Sequence, residues 1–305
     1  MTGSLLTALR AELERSNYVG RTVSLAEGAA VTGAVALMTA VLGRRADALV
    51  LTGVGALGLA DDLLEPRQRR AGRPVAKGLR GHLGALRAGR LTTGAAKALG
   101  IPALALIATA IAPPERPGRT TPAHIALVLT DGALVAASAN LVNLLDLRPG
   151  RALKVVIPAA AALTATPLTA AVDQEATERG QAVGSHRGAG RERSGRALGA
   201  AALIPATAAL LPDLAERGML GDAGANALGA AVGLSITRRV SPAARIALLA
   251  GVAALTLASE RVSFSTVIDR TPLLRTLDRW GRIPLPAEPG SGSLKSTGAD
   301  PGQVG

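Results

Sequence analysis

Eight uncharged apolar runs divide the chain, and they constrain its fold more than any other feature. They are 13 to 18 residues long and cover residues 28–43, 48–60, 98–114, 132–145, 155–172, 197–212, 223–237 and 246–259. Each run is shorter than the roughly 20 residues that cross a hydrocarbon core as a helix, but polar helix ends at a membrane face allow runs of this length to span. Their Ala, Leu, Gly and Val content favours close helix packing in lipid. The runs predict an all-α, polytopic membrane protein with about eight transmembrane helices.

The composition supports a large buried or lipid-facing phase and excludes several classes of function. Hydrophobic residues make up 48% of the chain, and the mean hydropathy is +0.31. One Trp, one Tyr and one Phe are too few aromatic side chains to stack bases, so no nucleic-acid partner is expected. The chain has no Cys, which excludes disulfides, thiolate metal sites and cysteine nucleophiles. Residues 1–16 lack the apolar core of a secretory signal, so no cleaved leader is expected.

The distribution of basic residues predicts an orientation in the membrane. If the eight runs are antiparallel spans, both termini and the even-numbered connections share one side, which carries 22 Lys and Arg residues against 12 on the other. The positive-inside rule assigns the richer side to the cytoplasm. We therefore expect a multi-pass protein of the plasma membrane with both termini in the cytoplasm.

Composition divides the chain into three parts. Residues 1–262 form the predicted helical membrane domain, within which residues 173–196 are polar and glycine-rich and read as a flexible connection. Residues 263–282 alternate apolar and arginine positions at helical spacing and predict an interfacial amphipathic helix. Residues 283–305 have the Pro, Gly and Ser content of a disordered tail.

Two adjacent carboxylates, Asp61 and Asp62, end the second apolar run. Paired acids at a membrane face are typical of a site that holds a divalent cation together with phosphate oxygens, because Mg²⁺ takes one or two carboxylates and leaves its other positions to substrate. The alternative is a helix end whose solvated acids face the arginines that follow.

Two further polar motifs lie on the same predicted side. Asn140, Asn143 and Asp146 recur every third residue and form one ridge of a helix, although caps of a helix C-terminus have the same composition. Gly221, Asp222 and Gly224 form a turn that opens a helix and presents backbone N–H groups beside a carboxylate, as a metal-bound diphosphate requires. The alternative is that Asp222 is only an N-cap. Helix caps have no reason to collect on one side, so the convergence predicts an active site on the cytoplasmic face.

Other patterns in the sequence are weaker evidence for a functional site. Gly53, Gly55 and Gly58 match a dinucleotide fingerprint, but the acidic residue and the alternating strands and helices that it requires are missing. The opposite face shows no comparable polar arrangement in the sequence. Asp131 interrupts the fourth apolar stretch without a visible partner, which favours a structural role. Together with the broken apolar helices it leaves a membrane transporter open as an alternative, although the sequence shows no inverted repeat.

The ordered set of motifs resembles one known family. The set comprises Asn17-Tyr-Val-Gly-Arg21, Asp61-Asp62, Lys77-Gly-Leu, Asn140-x-x-Asn143-x-x-Asp146 and Gly221-Asp222-x-Gly224. In this order it resembles the polyprenyl-phosphate N-acetylhexosamine-1-phosphate transferase family, which includes the bacterial lipid I synthase, and the resemblance runs from about residue 16 to 282.

The resemblance implies an activity, a cofactor and site residues. It implies Mg²⁺-dependent transfer, with Mn²⁺ as an alternative ion, of a sugar 1-phosphate from a UDP-sugar to a polyprenyl phosphate with release of UMP. By this resemblance Asp61 and Asp222 hold the metal, Asp62 orients or deprotonates the lipid phosphate, and Lys77 contacts phosphate. Asn143 and Asp146 face the nucleotide, and the remaining motif positions line the substrates: Asn17, Arg21, Asn140, Gly221 and Gly224.

The sequence departs from the family pattern at several points. Residues 1–16 cannot supply the family's first membrane helix, Glu65 stands where lipid I synthase has a lysine, and Ser259-Glu-Arg-Val-Ser-Phe264 replaces its histidine-rich loop. These departures argue against a murein pentapeptide substrate. They leave open a catalytically lapsed homologue that binds prenyl phosphate or nucleotide, and a homodimer is left open as the assembly.

Overall fold

The computed structural model describes residues 10–71, 92–112, 121–165 and 182–284, together with the single residues 7, 84 and 87. In these parts the chain is mostly helical, as the apolar runs predict. The main helices are α1 (Ala26–Val41), α2 (Arg45–Arg70), α3 (Thr93–Ala110), α4 (Thr121–Leu145), α5 (Arg151–Thr164), α6 (Ala182–Leu214), α7 (Gly221–Arg239) and α8 (Pro242–Ser259). Each of these eight helices contains all or part of one apolar run. The predicted tail lies outside the described residues from residue 285 onward.

A short antiparallel hairpin precedes α1. Strand β1 (Glu14–Ser16) pairs with β2 (Thr22–Ser24), with Arg15 opposite Val23. The turn between the strands contains the Asn17 to Arg21 motif. Ser24 also bridges to Gly218 in the connection before α7, which ties the hairpin to the helical bundle.

Within the described residues, four helices are long and apolar enough to cross a membrane. They are Thr93–Ala110 on α3, Pro122–Leu145 on α4, Gly188–Leu214 on α6 and Pro242–Ser259 on α8, and α1 is a shorter apolar helix. Large apolar side chains such as Leu37, Leu211 and Leu257 are exposed on these elements, as expected of a lipid-facing surface. Four of the eight predicted spans are therefore supported. Among the other helices, α5 has only 14 residues, and α2 and α7 carry charged ends.

Helix α7 occupies the centre of the bundle. It contacts α1, α2, α4, α5, α6 and α8, and nearly all of its residues are buried. Gly and Ala residues allow this approach: a Cβ added at Gly229 would lie 2.5 Å from the carbonyl oxygen of Ser138 on α4, and one at Gly233 would lie 2.8 Å from Cα of Val135. The small residues of α7 thus place its two ends against neighbouring helices.

Contrary to the expectation from sequence, the end of the bundle opposite the acidic motifs carries its own polar arrangement. Arg238 at the end of α7 donates to both carboxylate oxygens of Asp47 at the start of α2 and to the hydroxyl of Ser194 on α6. Arg44 also binds Asp47, at 3.0 Å. The sequence did not show this network because its members are far apart in the chain.

Asp131 also has a partner. Its carboxylate accepts hydrogen bonds from Nη1 of Arg245 on α8 at 3.0 and 3.2 Å, and Arg191 lies 3.6 Å away. Both Asp131 and Arg245 are buried. These contacts favour the structural role that the sequence predicts for Asp131.

The flexible connection predicted over residues 173–196 is wrong for its second half. Residues 182–196 form the start of α6, while the first half lies outside the described residues. The physical reason is tertiary contact: the hydroxyl of Ser235 donates to the carbonyl of Gly195, and Arg191 donates to the carbonyl of Thr237, so α7 stabilises a helix that local composition disfavours.

The segment predicted as one interfacial helix folds as two short helices. They are α9 (Phe264–Arg270) and α10 (Pro272–Arg279), separated by Thr271 in an extended conformation. Pro272 disfavours the helical conformation for the residue before it, which accounts for the position of the break. Arg151 on α5 fixes the pair by binding Asp278 with Nε at 2.8 Å.

Loss of Arg238 tests the buried ion pair. Replacing Arg238 with Met is expected to lower the free energy of unfolding by about 3 kcal/mol, because Asp47 stays buried with Arg44 as its remaining cation. Arg44→Met is the matched control and is expected to cost about 1 kcal/mol or less, since that guanidinium is more exposed. Denaturant unfolding in detergent measures both. Equal stabilities of the two variants would contradict the assignment.

Candidate active site

Asp61 and Asp62 lie on α2 beyond its apolar part, and they face different partners. Neighbouring positions on a helix point about 100° apart, so the two side chains diverge. Asp61 is buried and faces α3 and α7, whereas Asp62 points at the first turn of α7. The adjacent pair predicted from sequence therefore has two distinct tasks.

Asp62 caps the N-terminus of α7. Its carboxylate accepts hydrogen bonds from the backbone N–H groups of Asp222, at 3.2 Å, and Ala223, at 3.1 Å. The residue before α7, Leu220, makes no capping bond with its side chain. The alternative reading of Asp222 as the cap is therefore wrong, because α2 supplies the cap and the Asp222 side chain is left to point elsewhere.

Lys97 joins the acidic residues into one cluster, and sequence reasoning missed it. Its ammonium on the first turns of α3 lies 2.8 Å from Oδ2 of Asp61 and also binds Oδ2 of Asp222. The available signal was that Lys97 is the one charged residue of an otherwise apolar helix. Such a charge at a membrane face needs a partner, and the two aspartates provide it.

Burial and neighbouring charges shift the pKa values of the acid groups at this end of the bundle. Burial, followed by the negative charge of Asp222, raises the pKa of Asp62 to about 7. Burial and then the charge of Asp213 raise the pKa of Asp146 well above its usual value. For Asp61 burial works in the same direction, but the hydrogen bond and charge of Lys97 outweigh it and lower the pKa. Lys97 is thus the group that keeps a carboxylate of this cluster ionised.

A cavity of about 360 Å³ opens beside the cluster. Its lining includes the three aspartates of the two motifs and Arg15 from the hairpin. The Arg15 guanidinium donates to the backbone carbonyl of Asp62 at 2.6 Å, so a cation stands at the edge of the acidic cavity. Arg15 is a second residue that sequence reasoning missed.

A second cavity of about 280 Å³ lies between the hairpin and the connection from α4 to α5. It is lined by Asp146 and Tyr18, with Arg148 stacked 4.4 Å from the centre of the Tyr18 ring. Asp146 accepts a hydrogen bond from the backbone of Gly221, while its Oδ2 is buried without a hydrogen-bond partner among the described residues. The contact with Gly221 places this cavity next to the start of α7.

The predicted substrate residues of the hairpin serve the hairpin itself. The side-chain oxygen of Asn17 accepts from the backbone N–H groups of Val19 and Arg21, and its amide donates to Glu216 at 2.7 Å. Arg21 binds the same Glu216 at 3.0 Å. Asn17 nevertheless lines the second cavity. Most of the hydrogen-bonding capacity of its side chain is used within the protein, which leaves little for a substrate.

The other predicted residues divide in two groups. Asn140 is exposed and Asn143 half-buried on the last turns of α4, and neither lines the two cavities described above. Gly221 has φ of +56°, and Gly224 passes close to Gly28 on α1, so both position the start of α7. Lys77 lies outside the described residues.

The cluster fits a magnesium site completed by substrate. Asp61 and Asp222 interact directly and share one cationic partner, so their oxygens can reach a single ion. Mg²⁺ binds one or two carboxylates and takes its remaining ligands from water and phosphate oxygens. No group of three or more His, Asp or Glu side chains arranged to hold a metal occurs in the described part of the chain, so the protein alone supplies no closed cage there.

Gly221 provides a test of how the start of α7 is held. Ala at this position is expected to lower the free energy of unfolding by at least about 2 kcal/mol, because φ is positive and the new Cβ would lie 2.6 Å from Cδ2 of Leu25 and 2.9 Å from Oδ2 of Asp62. Gly251→Ala on α8 is the control: its Cβ meets open space, and a gain of about 0.5–1 kcal/mol is expected in a helix interior. Thermal unfolding compares the two, and a tolerated Gly221→Ala would refute the tight fit.

Comparison with known proteins adds no assignment: no family model matches this chain, and neither curated proteins nor solved structures give a match.

Proposed function

We propose that this protein is a membrane enzyme that transfers a sugar 1-phosphate from a UDP-sugar to a polyprenyl phosphate, with Mg²⁺, as a first membrane step of cell-envelope glycan synthesis. Mn²⁺ is the alternative ion. One observation carries the proposal: Asp61, Asp62 and Asp222, from motifs about 160 residues apart, converge with Lys97 beside one cavity.

The charges of the site suit a reaction between two anions. An oxygen of the lipid phosphate attacks the β-phosphorus of the UDP-sugar, the bond from that phosphorus to the bridging oxygen breaks, and UMP leaves with the electron pair. Bound Mg²⁺ would supply neutralisation of the diphosphate charge. Asp61 and Asp222 would hold the ion, and Asp62 keeps Asp222 in place by capping α7.

Two cationic side chains support the same assignment. The carboxylates by themselves repel phosphate, so a substrate with several negative charges needs cations at the cavity. Lys97 stands between the aspartates, and Arg15 stands at the cavity edge. Neighbouring Asp146 and Tyr18, with the stacked Arg148, offer a flat surface and a buried acceptor of the kind that a nucleobase uses.

An apolar groove supports a lipid substrate. It has a volume of about 660 Å³ and lies between α4, α5, α6, α8 and the α9–α10 pair. Its lining is mainly aliphatic and includes Leu141, Leu210, Leu255 and Leu274. A hydrocarbon chain can lie in such a groove without burying a polar group, and the prenyl chain of the acceptor is the occupant that the proposed reaction requires.

The metal carboxylates are tested by removing one charge at a time. Asp61→Asn and Asp222→Asn are each expected to lower transfer by more than about a hundredfold, because a metal ligand charge is lost while size is kept. Purified protein is incubated with undecaprenyl phosphate, a panel of UDP-sugars and titrated Mg²⁺, and the lipid product is measured by mass spectrometry.

Glu260→Gln is the control for the loss of one negative charge. Glu260 is exposed at the end of α8, and this variant is expected to keep parental activity. Asp131→Asn is unsuitable because that carboxylate is buried against Arg245. Full activity of both metal-site variants rejects the assigned site, and an inactive parent with every UDP-sugar favours the lapsed homologue.

The orientation is part of the proposal and has its own test. With the site and both termini in the cytoplasm of a plasma-membrane protein, a Cys at Ser263 is expected to resist an impermeant thiol reagent in intact cells, and a Cys at Ala165 is expected to react. Both positions are exposed, and the chain has no Cys of its own to interfere. Labelling with the opposite pattern would invert the assigned orientation.

A further inference from the structure

The position of Lys97 bears on how a metal enters the cluster. Its ammonium lies 2.8 Å from Oδ2 of Asp61 and binds Oδ2 of Asp222, so one positive charge offsets two carboxylates at the point where both face each other. The Lys97 side chain is 20% exposed, which leaves it room to move toward the cavity. An ammonium on a flexible four-carbon stem is a cation that the protein itself carries to this place.

An ion held by both carboxylates would take the place of the ammonium, at the point where the two side chains converge. Mg²⁺ binds carboxylate oxygens at about 2.0–2.1 Å, so an ion that bridges Asp61 and Asp222 would occupy the space between them. An ammonium and a dication in contact with the same oxygens would also repel each other strongly at this separation. The two cations therefore exclude each other.

We infer that Lys97 is an internal counter-ion that a divalent metal must displace from Asp61 and Asp222. This inference rests on the metal site of the proposed function and adds how that site is regulated. Without metal, Lys97 stabilises the two carboxylates and occupies the position that a cation from solution would take. When metal enters, the ammonium leaves the pair. The metal affinity is therefore the difference between the free energies with which the metal and the ammonium bind the two carboxylates.

The inference is tested by metal binding, which is independent of catalysis. Binding of Mn²⁺ to the detergent-solubilised full chain is followed from the electron paramagnetic resonance signal of the free ion. Lys97→Met is expected to bind Mn²⁺ at least about tenfold more tightly than the parent, because the metal no longer competes with charge-assisted hydrogen bonds. Lys97→Arg keeps the cation and is expected to stay near the parent.

Lys154→Met is the matched control for the loss of a lysine. Lys154 donates to the backbone carbonyls of Leu277 and Asp278 on α10 and of Trp280 just after it, and it is bonded to neither metal carboxylate. Its Mn²⁺ affinity is expected to equal that of the parent. Equal affinity of Lys97→Met and the parent, or absence of Mn²⁺ binding in all four proteins, overturns the inference.

A measurement on the unaltered chain covers the case in which Lys97→Met does not fold. Lysines of the parent are acetylated with acetic anhydride, with and without Mg²⁺, and the modified positions are read by mass spectrometry. Acetylation of Lys97 is expected to rise with Mg²⁺ while that of Lys154 stays constant. Unchanged or lower modification of Lys97 at saturating Mg²⁺ contradicts displacement.

The outcomes separate this inference from the proposed function. A gain of Mn²⁺ affinity in Lys97→Met, with a parent that transfers no sugar phosphate, supports the counter-ion and rejects the transferase. Transfer activity in the parent without a gain of affinity in Lys97→Met supports the transferase and rejects the counter-ion.

Discussion

Helix α7 is enclosed by six other helices, so the polar groups at both of its ends must find partners within the protein. Helix α2 supplies a carboxylate to each end. Asp62 accepts the first free N–H groups of α7, and Asp47 binds Arg238 in its last turn. The acids are 15 residues apart, or roughly 22 Å along a helix, which matches the separation of their partners on α7. An acid at the N-terminus and a cation at the C-terminus also complement the dipole of α7.

This double attachment also determines the geometry of the candidate site. With α2 and α7 fixed at two points, Asp61 and Asp222 have little freedom to separate, and Lys97 on α3 fills the space between them. The resulting cluster combines repulsion among acids with one shared cation. A site of this kind binds phosphate only if additional positive charge arrives with it. The reaction that we propose takes this charge from a bound metal ion.

Sequence patterns predict the helices and the convergence of motifs, because apolar periodicity and helix order are local properties of the chain. Each of the eight helices contains all or part of one run, and Asp61, Asp62 and Asp222 meet at one end of the bundle. Pairings such as Lys97 with Asp222 and Asp131 with Arg245 join residues more than 100 positions apart, so no local pattern reveals them. The start of α6 was missed for the same reason, since contacts with α7 override its glycine-rich composition. The length of a helix does not by itself predict whether it crosses the membrane, since α2 and α7 are long helices that carry charges at their ends.

The buried ion pairs at the end of the bundle away from the cavities have a consequence for heating. The free energy of hydrating charged groups becomes less favourable as temperature rises, so the desolvation cost of burying Asp47 with Arg238 and Asp131 with Arg245 falls. The contribution of apolar packing does not grow in the same way. At elevated temperature these two ion pairs therefore contribute a growing share of the stability.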